Sequence, residues 1–144
     1  MRHTYLLVEA AWEAHGRYWD DTGQEILLSG TAVISHQEEL WRNHSTMQLA
    51  LETAVEFESN YEITPMLPGE HCARWSSHNP TLGHMLGTFA LVGDSIISSY
   101  TSDSGEYSGC EYFLQMNEHI YKVAGVLFHG AERLSSWEAT LVRQ

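Results

Sequence analysis

The chain of 144 residues predicts an all-β fold: an antiparallel up-and-down barrel of about ten strands. Three observations carry this. Turn signals recur along the whole sequence, at Asp20-Asp21-Thr22-Gly23, Ser35-His36-Gln37-Glu38, Leu67-Pro68-Gly69, Val92-Gly93-Asp94, Asp103-Ser104-Gly105, Met116-Asn117-Glu118 and His129-Gly130-Ala131. The runs between them are rich in aromatic and β-branched residues. No stretch sustains a 3.6-residue period, and a consecutive meander of that kind must close on itself to hide its edges.

The elements follow in order. A first strand is expected at about 10–19, running into the Asp20–Gly23 turn, while residues 5–12 also permit a helical turn. The second covers Ile26 to Ser35, with Gly30 at its middle predicting a bulge or bend. The third covers Leu40 to Leu49, with Trp41, Met47 and Leu49 on one parity and Arg42, His44 and Gln48 on the other. Val55 to Ile63 shows the cleanest alternation. Val55, Phe57, Tyr61 and Ile63 are expected inward, and Glu56, Glu58 and Glu62 outward. A fifth strand at 70–78 leads into the irregular link His78–His84, where Pro80 and Gly83 oppose a ladder. The remaining strands fall near 86–92, 95–102, 107–116, 119–129 and 133–143.

Composition bounds the rest. The length suits a single domain over 1–144, and 43% hydrophobic with 18% charged residues is a globular balance. The net charge of −12 argues against nucleic acid and anionic membranes as partners. Residues 1–9 do not read as a signal peptide, because Glu9 interrupts a short apolar run. Cys72 and Cys110 lack metal spacing and are expected as free thiols in a reducing cytoplasm. A homodimer is compatible with the sequence without being required by it.

No P-loop, GxGxxG, HExxH or GxSxG is present, so no cofactor and no metal is implied. Six histidines, His15, His36, His44, His78, His84 and His129, could offer a metal or haem ligand but are read mainly as surface and turn positions. A ten-stranded barrel is wider than small side chains fill, so a cavity is expected, with a packed core as the alternative. Trp12, Tyr61, Trp75, Tyr100 and Trp137 are the expected ligand-binding residues, with Ser98, Ser99 and Ser136 adding hydroxyls. Glu111 lies between Cys110 and Tyr112. Turned inward it would titrate high unless Arg74 or Arg42 paired with it, and an inward cation would hold a ligand carboxylate. Glu138 and Arg74 are expected outward.

In length, strand count and turn spacing the chain resembles the calycins: lipocalins, fatty-acid-binding proteins and nitrobindin-like barrels. Ala10-x-Trp12-x-Ala14-x-Gly16 is similar to the start of nitrobindin-like haem barrels, although Ala10 stands where lipocalins have Gly. The resemblance implies that Trp12 closes the barrel floor, packed by Arg143 or Arg133. It also implies a small, partly apolar ligand. An isomerase or hydrolase using Glu111 or a histidine, and a haem-binding barrel, are the alternatives.

Overall fold

The structure, a computed structural model, describes residues 2–144; Met1, at the head of the segment judged against a signal peptide, lies outside them. Ten strands follow one another: β1 (Ala10–Trp19), β2 (Glu25–His36), β3 (Trp41–Leu49), β4 (Val55–Ile63), β5 (Cys72–Asn79), β6 (Gly83–Val92), β7 (Ser95–Ser102), β8 (Tyr107–Asn117), β9 (Ile120–His129) and β10 (Glu132–Arg143). Each pairs antiparallel with the next, and β1 pairs with β10, so the sheet closes as a barrel. Among the described residues no helix is long and apolar enough to cross a membrane.

The turn chemistry sets the meander. Asp20 Oδ1 accepts from the backbone N–H groups of Thr22 and Gln24 at 2.9 Å each, and Gly23 takes φ +85°. Gly93 and Gly105 take positive φ at two of the tight turns, a conformation that costs glycine little. The expected alternation of β4 holds: Glu56, Glu58 and Glu62 are exposed, while Val55, Phe57 and Tyr61 are half-buried and Ile63 is buried. Gly30 differs from expectation. It pairs in unbroken register with Ala14 and Met47, and a Cβ there would strike the Thr46 carbonyl. The register shifts lie instead at Arg133/Ser135 and Gln115/Asn117.

The segment before β1 forms neither strand nor helix. It turns back at Leu6, which takes φ 69°, and plugs one end of the barrel with His3, Thr4, Tyr5 and Leu6 buried. The Tyr121 hydroxyl accepts from the N–H of Thr4 at 3.1 Å and of Tyr5 at 3.2 Å. Both lone pairs are thereby used, so its proton goes to His3 Nδ1 at 2.9 Å. That leaves His3 Nε2–H to donate to the Gly93 carbonyl at 2.9 Å. Trp12, 1% exposed, stands edge-on to Tyr5 and Tyr121 at 5.6 and 5.5 Å between ring centroids.

Trp12 therefore closes the floor. Arg143 is its register partner on β10. Arg133 is not at this end: its guanidinium donates to the Asp20 carbonyl at 2.9 Å, at the opposite rim. Cys72 and Cys110 are both free and exposed.

Candidate functional site: an interior cavity around Glu111

Above the plug the barrel encloses a cavity of about 400 Å³. Its lining runs from Tyr5 at the floor to Asn79 at the end of β5 and Thr81 and Leu82 on the β5–β6 connection, so the access is at the end away from the plug. Tyr61, Trp75, Tyr100 and Trp137 line it. Trp12 does not: it lies beneath, spent on closing the floor.

Strand parity decides the hydroxyls. Ser98 lines the cavity and accepts from Trp75 Nε1 at 3.1 Å, whereas Ser99 is exposed. Ser135 lines the cavity on the same face as Trp137; Ser136, on the other parity, is not part of the lining and takes a hydrogen bond from Arg133 at 3.3 Å. Arg74 and Glu138 are exposed, as expected.

Glu111 faces inward. It sits on β8 between two register partners, Ser98 on β7 and Gly125 on β9; Gly125 in turn pairs with Trp137 on β10. The Trp137 indole reaches across Gly125 and donates from Nε1 to Glu111 Oε2 at 2.8 Å. Gly125 makes this reach available, because a Cβ there would collide with the indole. Two more aromatics lie across glycines in the same way. Trp75 covers Gly87, and Tyr100 covers Gly109 while donating to the Val126 carbonyl at 3.2 Å. With rings laid against the wall, the centre of the barrel stays open. These glycines were the signal that a reading based on Gly30 alone missed: each is a mid-strand glycine whose cross-strand partner is aromatic.

The electrostatics follow from burial. Desolvation raises the Glu111 carboxyl from 4.5 to about 7, and the Trp137 hydrogen bond offsets part of that rise. The acid is walled in by the barrel while its carboxyl still fronts the cavity, which is why it is only half-buried. Among the described residues Trp137 is its hydrogen-bond donor, and no Lys, Arg or His lines the space. The cationic anchor considered from the sequence is therefore missing, and Arg42 and Arg74 stand outside, Arg42 beside Glu62 at 3.4 Å.

Burial also pushes the phenols of Tyr5, Tyr61 and Tyr100 upward, with the Glu111 charge adding to it. They stay protonated hydroxyls. Tyr5 accepts from Asn43 Nδ2 at 3.1 Å, which leaves its own proton free to be donated. Trp75 holds Tyr61 edge-on at 5.0 Å and Tyr100 tilted at 5.8 Å.

Among the described residues no histidine or cysteine lines the cavity, so none is placed there to ligate a haem. His36 contacts the Leu6 carbonyl, and His44 pairs with Glu58 on the outer face at 3.0 Å. Among the described residues no group of three His, Cys, Asp or Glu side chains is placed to hold a metal.

No family model matches the chain, and no curated protein matches it. Among solved structures, the S-type phycobiliprotein lyase CPES from Guillardia theta superposes with a TM-score of 0.67 at 9% identity, covering 95% of this chain and 88% of that one. An N-terminal dehydratase from the difficidin assembly line aligns over 97% of this chain and 79% of its own at 9% identity, with a TM-score of 0.29. The closed ten-stranded antiparallel meander, shared with the lyase, makes this chain a calycin-like barrel in architecture.

Proposed function

We propose that the barrel binds a small, partly apolar molecule in the cavity around Glu111. The observation that carries this is the cavity itself. Three aromatics are laid flat over wall glycines, and a space of about 400 Å³ is left open beside one buried carboxyl. A mostly apolar lining with a few directed polar groups is the usual form of a small-molecule site. Here the directed groups are Glu111, the Tyr5 and Tyr61 hydroxyls and Ser98. At 9% identity the likeness to the lyase concerns the fold, so the reading rests on the cavity and not on that protein's activity.

The test is a titration with N-phenyl-1-naphthylamine, a neutral apolar fluorophore, exciting the tryptophans, of which Trp75 and Trp137 stand in the lining. Saturable one-to-one energy transfer with a blue-shifted probe emission is expected. A linear, non-saturating response would remove the binding reading.

One observation favours a second reading, an isomerase or hydrolase. A carboxyl raised to about 7 beside protonated phenols suits general acid–base work near neutral pH. Incubating the protein with candidate small molecules and extracting them afterwards separates the two. A carrier returns them unchanged, and an enzyme returns a product that Glu111→Gln does not make.

A further inference from the structure

We infer that the cavity selects a ligand bearing a protonated amine and an apolar body, and discriminates against carboxylates. This rests on the cavity being the binding site. Three features of the molecule point to the same charge class. First, among the described residues Glu111 is the one carboxylate in the lining, and no Lys, Arg or His lines the cavity with it. Its Oε2 is taken by Trp137 Nε1, while its other oxygen has no protein donor and is left to a ligand. An ammonium group supplies both the charge and the hydrogen bonds that this oxygen lacks.

Second, the surroundings are aromatic. Trp75 packs on Tyr61 and on Tyr100 along the cavity wall, and Trp137 flanks the carboxyl. Aromatic faces attract a desolvated cation, and an anion gains nothing from them. Third, the approach is acidic. Asp20, Asp21, Glu52, Asp103 and Glu106 stand on the connections at the open end, against Arg133 at the start of β10, whose guanidinium is held on the Asp20 carbonyl at 2.9 Å. With a net charge of −12, the field draws in cations and repels anions. A carboxylate entering the cavity would meet Glu111 with no cation between them.

The groups facing Glu111 are Ser98 from β7, Trp137 from β10, Tyr100 from β7, Tyr61 from β4 and Tyr5 from the plug. None of these carries a positive charge at neutral pH, and the phenols stay neutral. The carboxyl alone therefore sets the pH response of amine binding. An ammonium ligand needs the ionised form, which fades as pH falls through about 7.

The experiment displaces N-phenyl-1-naphthylamine with three ligands of equal chain length: n-octylammonium, n-octanol and octanoate. At pH 8 octylammonium should displace the probe at a concentration at least tenfold below octanoate, with octanol between them. From pH 8 to pH 6 the affinity for octylammonium should fall about tenfold while that for octanol holds. In Glu111→Gln, which keeps an oxygen for the Trp137 N–H, the preference for the amine over the alcohol should vanish while the probe still binds. The pH series in the unaltered protein gives the answer even if that variant folds poorly. Probe binding with octanoate as effective as octylammonium, or an amine preference that survives Glu111→Gln, overturns the inference. Failure of the probe to bind overturns the cavity reading instead.

Discussion

Replacing Glu111 with Gln should make the protein more stable above neutral pH and leave it unchanged in acid. In the fold the carboxyl is raised from 4.5 to about 7, first by burial, against the Trp137 hydrogen bond. A raised acid favours folding when protonated. Its contribution is complete below about pH 4.5 and is lost as pH climbs through about 7. At about 1.4 kcal/mol per pH unit, a carboxyl raised from 4.5 to about 7 gives a loss of about 3 kcal/mol by pH 8.

Gln copies the neutral acid. It has no charge to desolvate, and its carbonyl oxygen accepts from Trp137 Nε1 as Oε2 does at 2.8 Å. Urea unfolding of both proteins from pH 4 to pH 8 isolates the effect, because the other titrating groups are shared. Asp20 and Glu58, whose pKa values are lowered by hydrogen bonds, slope the opposite way in both proteins and cancel in the difference. The difference curve should rise from near zero to about 3 kcal/mol, equivalent to roughly 10 °C in Tm for a chain of this size. A flat difference, or a Gln variant less stable at pH 8, would refute the buried, cavity-facing carboxylate. A stability gain on removing a charged group is the usual mark of a residue kept for function.

Three other outcomes follow from particular contacts. Gly125→Ala should break the Trp137–Glu111 hydrogen bond by displacing the indole, lower stability by about 1–3 kcal/mol, and shift tryptophan emission. Phe57→Ala should cost about 2–3 kcal/mol, less than in a filled core because the ring already fronts the cavity, while exposed Glu58→Leu should stay within about 0.5 kcal/mol; the reverse order in urea unfolding would contradict the β4 register. Tyr121→Phe leaves the Thr4 and Tyr5 amides and His3 Nδ1 without their shared partner, and should cost about 2–4 kcal/mol with faster amide exchange in residues 3–6.

The fold was legible because its signals are local. Turn residues such as Asp20 and Gly93 and the alternation of β4 are each contained in a few neighbours, and together they place ten strands within a few residues of their observed ends. The site was legible in part. Tyr61, Trp75, Tyr100 and Trp137 line the cavity because large aromatics on a closed sheet turn inward, but so does Trp12, and sequence does not say that the plug sits on top of it.

What escaped the reading depends on distant partners. The plug turns on Leu6 at positive φ and on a hydroxyl more than a hundred residues away, and neither leaves a local trace. In β10 it is Ser135, not Ser136, that joins the lining, because Ser135 shares a face with Trp137 by strand alternation and Ser136 does not. The inward turn of Glu111 could have been read from Gly109-x-Glu111-x-Phe113, where glycine and Phe share its face, together with Gly125 opposite.

The most direct measurement is the titration of the Glu111 side-chain carboxyl by carbon-13 NMR, with and without saturating n-octylammonium. An open cavity holding a desolvated acid with no cationic partner requires a midpoint near 7 in the free protein, falling by a unit or more once the ammonium is bound. A midpoint at the ordinary 4.5, or one near 7 that octylammonium leaves in place, would contradict it.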